Sequence, residues 1–151
     1  MGNLGCGCPS SMAKVIERPV NNESNNVKAV SELRQWPVQL HLVPPSAPYF
    51  KDAEILVSAD CVAFAMGSMH QDLLKGKALA IACPKLDDTA PYVEKLATIF
   101  RTSDTPRVTV AIMEVPCCKG LDIMVKEAIQ KSGREILLET VIVNIDGSRK
   151  N

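Results

Sequence analysis

Three stretches of the chain are apolar almost without interruption, and they restrict the fold more than any other feature. They are "EILVSA" at 54–59, "ALAIAC" at 78–83 and "RVTVAIMEV" at 107–115. A run without polar alternation indicates a strand that is buried on both faces, as in a parallel sheet covered by helices. The segments between these runs place apolar residues at helical spacing. Strands that alternate with helices in this way predict an α/β fold.

The predicted elements form one three-layer domain that follows an irregular arm. Strands are predicted over 38–42, 54–59, 78–83, 107–115 and 136–145. Helices are predicted over 27–35, 62–74, 88–100 and 118–131. We therefore expect a mostly parallel sheet of about five strands with helices on both faces. Because residues 1–26 are rich in Gly, Pro, Ser and Asn, we divide the chain into an N-terminal arm with a short helix, 1–35, and an α/β domain, 36–151.

The charge balance and the apolar pattern exclude several classes of protein. Lys+Arg and Asp+Glu number 17 each, and aromatic residues make up 4% of the chain, so we expect no nucleic-acid or membrane-surface partner. No apolar run reaches the ~18 residues that span a bilayer, and the N-terminus lacks the pattern of a secretory signal. We expect a cytoplasmic protein, and a homo-oligomer remains an open alternative. Thiols stay reduced in the cytoplasm, so the six cysteines indicate metal or redox chemistry before disulfides.

Four of the cysteines follow the ends of predicted strands. Cys61 follows the first apolar run, Cys83 closes the second, and Cys117 and Cys118 follow the third. The carboxyl ends of parallel strands share one edge of the sheet, and ligands bind in the crevice at that edge. We therefore predict that these four thiols converge on one site.

The thiols and their spacing favour an iron–sulfur cluster. Thiolates are soft ligands that select zinc, Cu(I) or iron–sulfur clusters. A structural zinc ion usually takes pairs of ligands from knuckles such as C-x2-C, and the sequence contains none. Ligands from three strand ends suit a larger cofactor. Cys6 and Cys8 lie in "CGCP". This segment either supplies a further ligand, with Cys8 as the candidate, or is an arm without a role.

Three functions remain open on these residues. The first is an iron–sulfur protein that transfers electrons. The second is an iron–sulfur enzyme with an open iron that acts on a small sulfur compound. The third is a zinc or dithiol redox protein that uses Cys117 and Cys118 directly. Nucleotide-binding glycine motifs are absent from the sequence. We interpret Asp87 and Asp88 as helix N-caps.

Three stretches also carry a family resemblance. They are "WPVQLHLVPPSAPYFKDAEILVSADCVAFAMG", "LKGKALAIACPKLDD" and "MEVPCCKGL". With the "CGCP" segment, they resemble the C-terminal α/β region of bacterial and archaeal iron–sulfur proteins of the 4Fe–4S ferredoxin type, which are common in anaerobes. The resemblance runs from about Cys6 to Gly147. It implies a 4Fe–4S cluster whose candidate ligands are Cys8, Cys61, Cys83, Cys117 and Cys118.

The resemblance also implies a redox partner. In that family, a ferredoxin module precedes the "CGCP" segment and the α/β region. The sequence here contains no C-x2-C-x2-C run of a ferredoxin module. We therefore expect a separate redox protein such as a ferredoxin as partner.

Overall fold

Four parallel strands form one sheet in the part of the chain that the structure, a computed structural model, describes, which is residues 14–18 and 28–151. The strands are β1 (Glu54–Ala59), β2 (Lys77–Ala82), β3 (Arg107–Met113) and β4 (Leu137–Val143). Their order across the sheet is β2-β1-β3-β4. The predicted α/β class and parallel sheet are confirmed, whereas the strand number is four rather than five.

Helices cover both faces of this sheet. They are α1 (Val62–Ala65), α2 (Tyr92–Ser103) and α3 (Lys119–Ser132), with short helical turns at Pro48–Phe50, His70–Leu74 and Pro116–Cys118. The connections from β2 to β3 and from β3 to β4 cross the sheet in the same direction, so right-handed crossovers place α2 and α3 on one face. These two helices pack against each other. The connection from β1 to β2 runs the other way and covers the opposite face.

The core is formed by the apolar residues that recur at the spacing of helices and strands. In β1, every residue except Glu54 is buried. The apolar residues at helical spacing in α2 and α3 also face the core, with Leu96, Phe100, Leu121 and Val125 fully buried. Burial on both faces therefore distinguishes the central strands β1 and β3.

The predicted strand over 38–42 is wrong. Only Gln39 bridges to Ile81, and the amides of Leu42 and Val43 then bond back to the Gln39 carbonyl. The turn buries Leu40 and Val43 and leaves Leu42 67% exposed. These residues therefore bury their apolar side chains at a spacing of three rather than two.

The predicted helix over 27–35 is also wrong over its described residues, 28–35, which contain no helix. The side chain of Gln35 instead pairs with the edge of β2. The Leu79 N–H donates to Gln35 Oε1 at 2.7 Å, and Gln35 Nε2 donates to the Leu79 carbonyl at 2.8 Å. This side chain thus satisfies both backbone groups of an edge residue. The boundary of the domain at 35/36 stays a prediction.

The predicted helix over 62–74 is interrupted. It ends at Ala65 and resumes as the turn His70–Leu74, because the chain is extended at Met66 (ψ 103°). The apolar residues at helical spacing in this segment are nevertheless buried, including Met66 and Met69. Within residues 14–18 and 28–151, no helix is long and apolar enough to cross a membrane.

Candidate functional site

Four cysteines line one cavity at the carboxyl edge of the sheet. Cys61 lies two residues after β1, Cys83 directly follows β2, and Cys117 and Cys118 lie in the turn that joins β3 to α3. All four border a cavity of about 280 Å³. Their convergence agrees with the strand-end prediction. Their role as cofactor ligands stays a prediction.

This cavity lies where the chain reverses its direction across the sheet. From β1 the chain moves to one side to form β2, and it then passes to the other side of β1 to form β3 and β4. The connections that leave β1 and β3 therefore lie on opposite faces, which opens a crevice between their carboxyl ends. The cysteines occupy the position at which open α/β sheets bind ligands.

The four thiols lie at different depths in a largely apolar wall. Cys61 is exposed, Cys83 and Cys117 are half-buried, and Cys118 is buried. The apolar part of the wall consists of Ala59, Ala82, Met113, Val115 and Ile145. Lys14 also borders the cavity. The cavity thus combines soft donor atoms with surroundings that limit access of water.

Burial and neighbouring groups raise the pKa of two of the four thiols, Cys118 and Cys61. Burial raises the pKa of Cys118 to about 11, and the neighbouring Cys117 and Cys61 add to this effect, while a hydrogen bond from the Met113 backbone opposes it. Burial also raises the pKa of Cys61, as do the charges of Cys83, Asp60 and Cys117. Such thiols become thiolates when a cation binds, and binding then releases protons.

Asp60 places an unsatisfied oxygen at the wall of the cavity. Its Oδ1 is buried and has no hydrogen-bond partner among the described residues, and the residue borders the cavity. Burial raises the pKa of this carboxyl, and the charge of Asp87 raises it further. A buried carboxylate oxygen is costly unless it is protonated or meets a cation. Its position directly before Cys61 is the one feature of the sequence that points to this residue.

The loop after β2 is closed by Asp87. The Cys83 N–H donates to Asp87 Oδ2 at 3.0 Å, and the Asp87 N–H donates to the Cys83 carbonyl at 3.0 Å. The Tyr92 hydroxyl donates to the same Oδ2 at 2.5 Å. Our interpretation of Asp87 and Asp88 as N-caps is wrong, because α2 begins at Tyr92 with Pro91 as its N-cap. The four-residue spacing from Cys83 to Asp87 is the signal that could have shown the closed turn.

Gly120 allows this loop to approach the cysteine pair. A Cβ atom on Gly120 would lie 3.3 Å from the Cβ of Pro84. Pro84 follows Cys83, and Gly120 lies in the first turn of α3. Sequence reasoning missed this contact because it joins segments that are far apart in the chain.

Gly120→Val is expected to lower the free energy of unfolding by about 1–3 kcal/mol, the usual cost of overpacking. The branched side chain would meet Pro84 and push the Cys83 loop away from α3. Chemical denaturation with urea measures the change. Gly120→Ala is the matched control, because its methyl group needs only a small shift of Pro84 and alanine favours the helix. Equal stability of the valine variant and the wild type would contradict the close approach.

A loop after β4 covers the cavity from the other side. Ile145 borders the cavity, and its N–H donates to Glu114 Oε1 at 3.0 Å. Two residues later, Gly147 has a φ of 93° and contacts the backbone of Ala65 so closely that a Cβ atom would lie 2.1 Å from the Ala65 carbonyl oxygen. The loop therefore connects the end of β4 to the helix that follows Cys61.

The candidate ligand Cys8 and its neighbour Cys6 lie outside the described residues. Within residues 14–18 and 28–151, no group of three or more His, Cys, Asp or Glu side chains is arranged to hold a metal ion.

Comparisons with known proteins agree with the fold. The family model described as "Rossmann-like domain" matches residues 47–150. A protein of Archaeoglobus fulgidus described as "Uncharacterized protein" is 35% identical over 119 residues, which cover 79% of this chain and 84% of that protein. No solved structure matches the chain. Neither description names an iron–sulfur protein, so the resemblance to the ferredoxin-type proteins stays a prediction.

Proposed function

This chain belongs to the Rossmann-like domain family, and we propose that it holds an iron–sulfur cluster of the 4Fe–4S type in its crevice and transfers electrons in the cytoplasm. One observation carries the proposal. Four thiols that come from three separate strand ends border a single cavity of about 280 Å³. Cys61, Cys83, Cys117 and Cys118 are the proposed ligands.

The origin of the donor atoms supports a cluster over a single zinc ion. Each iron atom of a cluster needs its own thiolate, so a cluster accepts ligands from separate loops. Adjacent cysteines such as Cys117 and Cys118 would bind two different iron atoms. Structural zinc sites usually draw their ligands from C-x2-C knuckles, and the sequence has none.

The surroundings of the thiols also suit a cluster. The apolar wall, which includes Met113 and Val115, would exclude water and influence the reduction potential. The N-cap of α3 is Cys118, so the first amide groups of this helix lie at the edge of the site, where they favour negative charge. Lys14 borders the cavity and adds a positive charge. When bound, the cluster supplies one-electron transfer.

The proposed partner is a redox protein such as a ferredoxin, as the family resemblance implies. Phe64 and Leu86 are 93% and 84% exposed, and each lies three residues after a proposed ligand. Three residues span no more than ~11 Å, so these side chains lie close to the site. They would give the partner apolar contact beside the cavity.

A second candidate is an iron–sulfur enzyme with an open iron that acts on a small sulfur compound. The buried and unpartnered Oδ1 of Asp60 favours it, because electron transfer alone gives this oxygen no role. In this alternative, Asp60 would contact the substrate beside Cys61.

Strictly anaerobic purification tests the proposal. We expect brown protein with broad visible absorbance and matching amounts of iron and acid-labile sulfide. The matched control is a chain with serine at positions 61, 83, 117 and 118, which retains Cys6 and Cys8 and should be colourless. Zinc, or no metal even after attempted cluster reconstitution, would overturn the proposal and favour the zinc or dithiol alternative.

A further inference from the structure

We infer that Asp87 and Tyr92 are positioning residues that fix the backbone of Cys83 against the cavity. We call Cys83, Asp87 and Tyr92 the Cys83 latch. The inference rests on the proposed function in one respect, which is that Cys83 is a ligand. The latch itself is a hydrogen-bonded arrangement that exists without a cofactor.

The latch joins a ligand loop to a long helix. Asp87 Oδ2 accepts the Cys83 N–H at 3.0 Å and the Tyr92 hydroxyl at 2.5 Å. The Asp87 N–H in turn donates to the Cys83 carbonyl at 3.0 Å. Both backbone groups of Cys83 are thereby bound to one residue. Because Tyr92 is the first residue of α2, the position of the ligand loop follows the position of this helix.

Further residues contact the Cys83 latch and support its position. Tyr92 is fully buried, and the ring of His41 lies over it with 4.7 Å between ring centroids. Gln39, which bridges to β2, also hydrogen-bonds the Asp87 side chain. The Asp87 carboxylate therefore lies directly beside a proposed ligand.

The hydrogen bonds that orient Cys83 and the charge of Asp87 would both affect a metal site, although Asp87 and Tyr92 are not ligands themselves. Outer partners that fix the direction of a ligand typically change metal affinity 10–100-fold when they are removed. Here the carboxylate also adds a negative charge beside the ligand, which favours the oxidised state of a cluster. The latch would thus control both retention of iron and the reduction potential.

Tyr92→Phe removes the hydroxyl group and leaves the buried ring. We expect iron to leave this variant for a chelator roughly 10–100 times faster than it leaves the wild type. The matched control is Tyr49→Phe. Its hydroxyl is also buried but has no hydrogen-bond partner among the described residues, so this change leaves the latch intact and should leave the rate unchanged. Equal rates for Tyr92→Phe and the wild type would overturn the inference.

A second measurement separates the latch from the proposed function. In metal-free protein, exchange of the Cys83 amide hydrogen, followed by NMR, should be about tenfold faster in Tyr92→Phe than in Tyr49→Phe, because one hydrogen bond to a charged group has been lost. If the wild type binds no iron, the proposed function fails while this result still supports the latch. Unchanged exchange at Cys83 would overturn the latch whatever the iron content.

Asp87→Asn separates charge from geometry and serves if Tyr92→Phe does not fold. The amide oxygen can still accept the Cys83 N–H, so slow iron release should be retained. The loss of the negative charge should shift the reduction potential of the cluster to a more positive value. An unchanged potential in this variant would overturn the electrostatic part of the inference.

Discussion

Cys83→Ser is expected to lose most of the iron that the wild-type chain holds. The proposed site uses one thiolate for each iron atom, and a hydroxyl group is a poor ligand where a soft donor is needed. We expect the affinity to fall by at least ~100-fold, which is the upper end of the effect of outer partners. The fold should survive, because the backbone of Cys83 makes the hydrogen bonds of its loop and its side chain is only half-buried. Iron and sulfide assays after anaerobic reconstitution measure the loss.

Cys6→Ser is the control for this experiment. Cys6 is not among the proposed ligands, and we expect the variant to keep most of its iron. An iron content of Cys83→Ser equal to that of the wild type would show that Cys83 is not a ligand. Loss of the chromophore in Cys6→Ser would instead make the N-terminal arm an essential part of the site.

The four strands of the sheet could be predicted because each contains consecutive apolar residues. The prediction over 54–59 coincides with β1, and the predictions for the other three strands differ from the structure by one or two residues at their ends. A strand that is buried on both faces can be predicted from its own apolar composition, without knowledge of the strands that it pairs with.

The wrong predictions of secondary structure lie in segments where the backbone turns between buried apolar residues. Leu40 and Val43 are fully buried, yet they lie on a turn that the alternation in "VQLHL" does not indicate. The apolar residues at helical spacing over 62–74 are also buried, but the helix is broken at Met66. Over 62–74 the sequence indicated which side chains are buried but not the path of the backbone, whereas over 38–42 the alternation also grouped the exposed Leu42 with the buried Leu40.

The cysteine edge could be predicted from strand ends, whereas its supports could not. Cys61 and Cys83 follow strands, and parallel strands must bring their carboxyl ends together. The contact of Gly120 with Pro84 and the bond from Tyr92 to Asp87 depend on how a loop lies on a helix. No local sequence pattern specifies such contacts, because they depend on how the loop and the helix are arranged in three dimensions and not on a repeating spacing of apolar residues.

Gly147→Ala is expected to produce the largest loss of stability among the single substitutions considered at this site. A Cβ atom would lie 2.1 Å from the carbonyl oxygen of Ala65, and the φ of 93° at this position is one that glycine adopts readily. Overpacking costs about 1–3 kcal/mol and a left-handed backbone adds about 1–2 kcal/mol. We therefore expect the free energy of unfolding to fall by roughly 2–5 kcal/mol, with the melting temperature lower by roughly 4–20 °C. Thermal unfolding followed by circular dichroism measures both.

Gly67→Ala is the matched control, because it lies after the same helix that Gly147 contacts and has open space around its Cβ position. This change should leave stability equal or raise it by up to ~1 kcal/mol. The loop at Gly147 also carries Ile145, which borders the cavity, so Gly147→Ala should release iron faster than Gly67→Ala under conditions where both are folded. Equal melting temperatures for the two variants would show that the loop does not pack against Ala65. A lower melting temperature with unchanged iron release would show that the loop supports the fold and takes no part in covering the site.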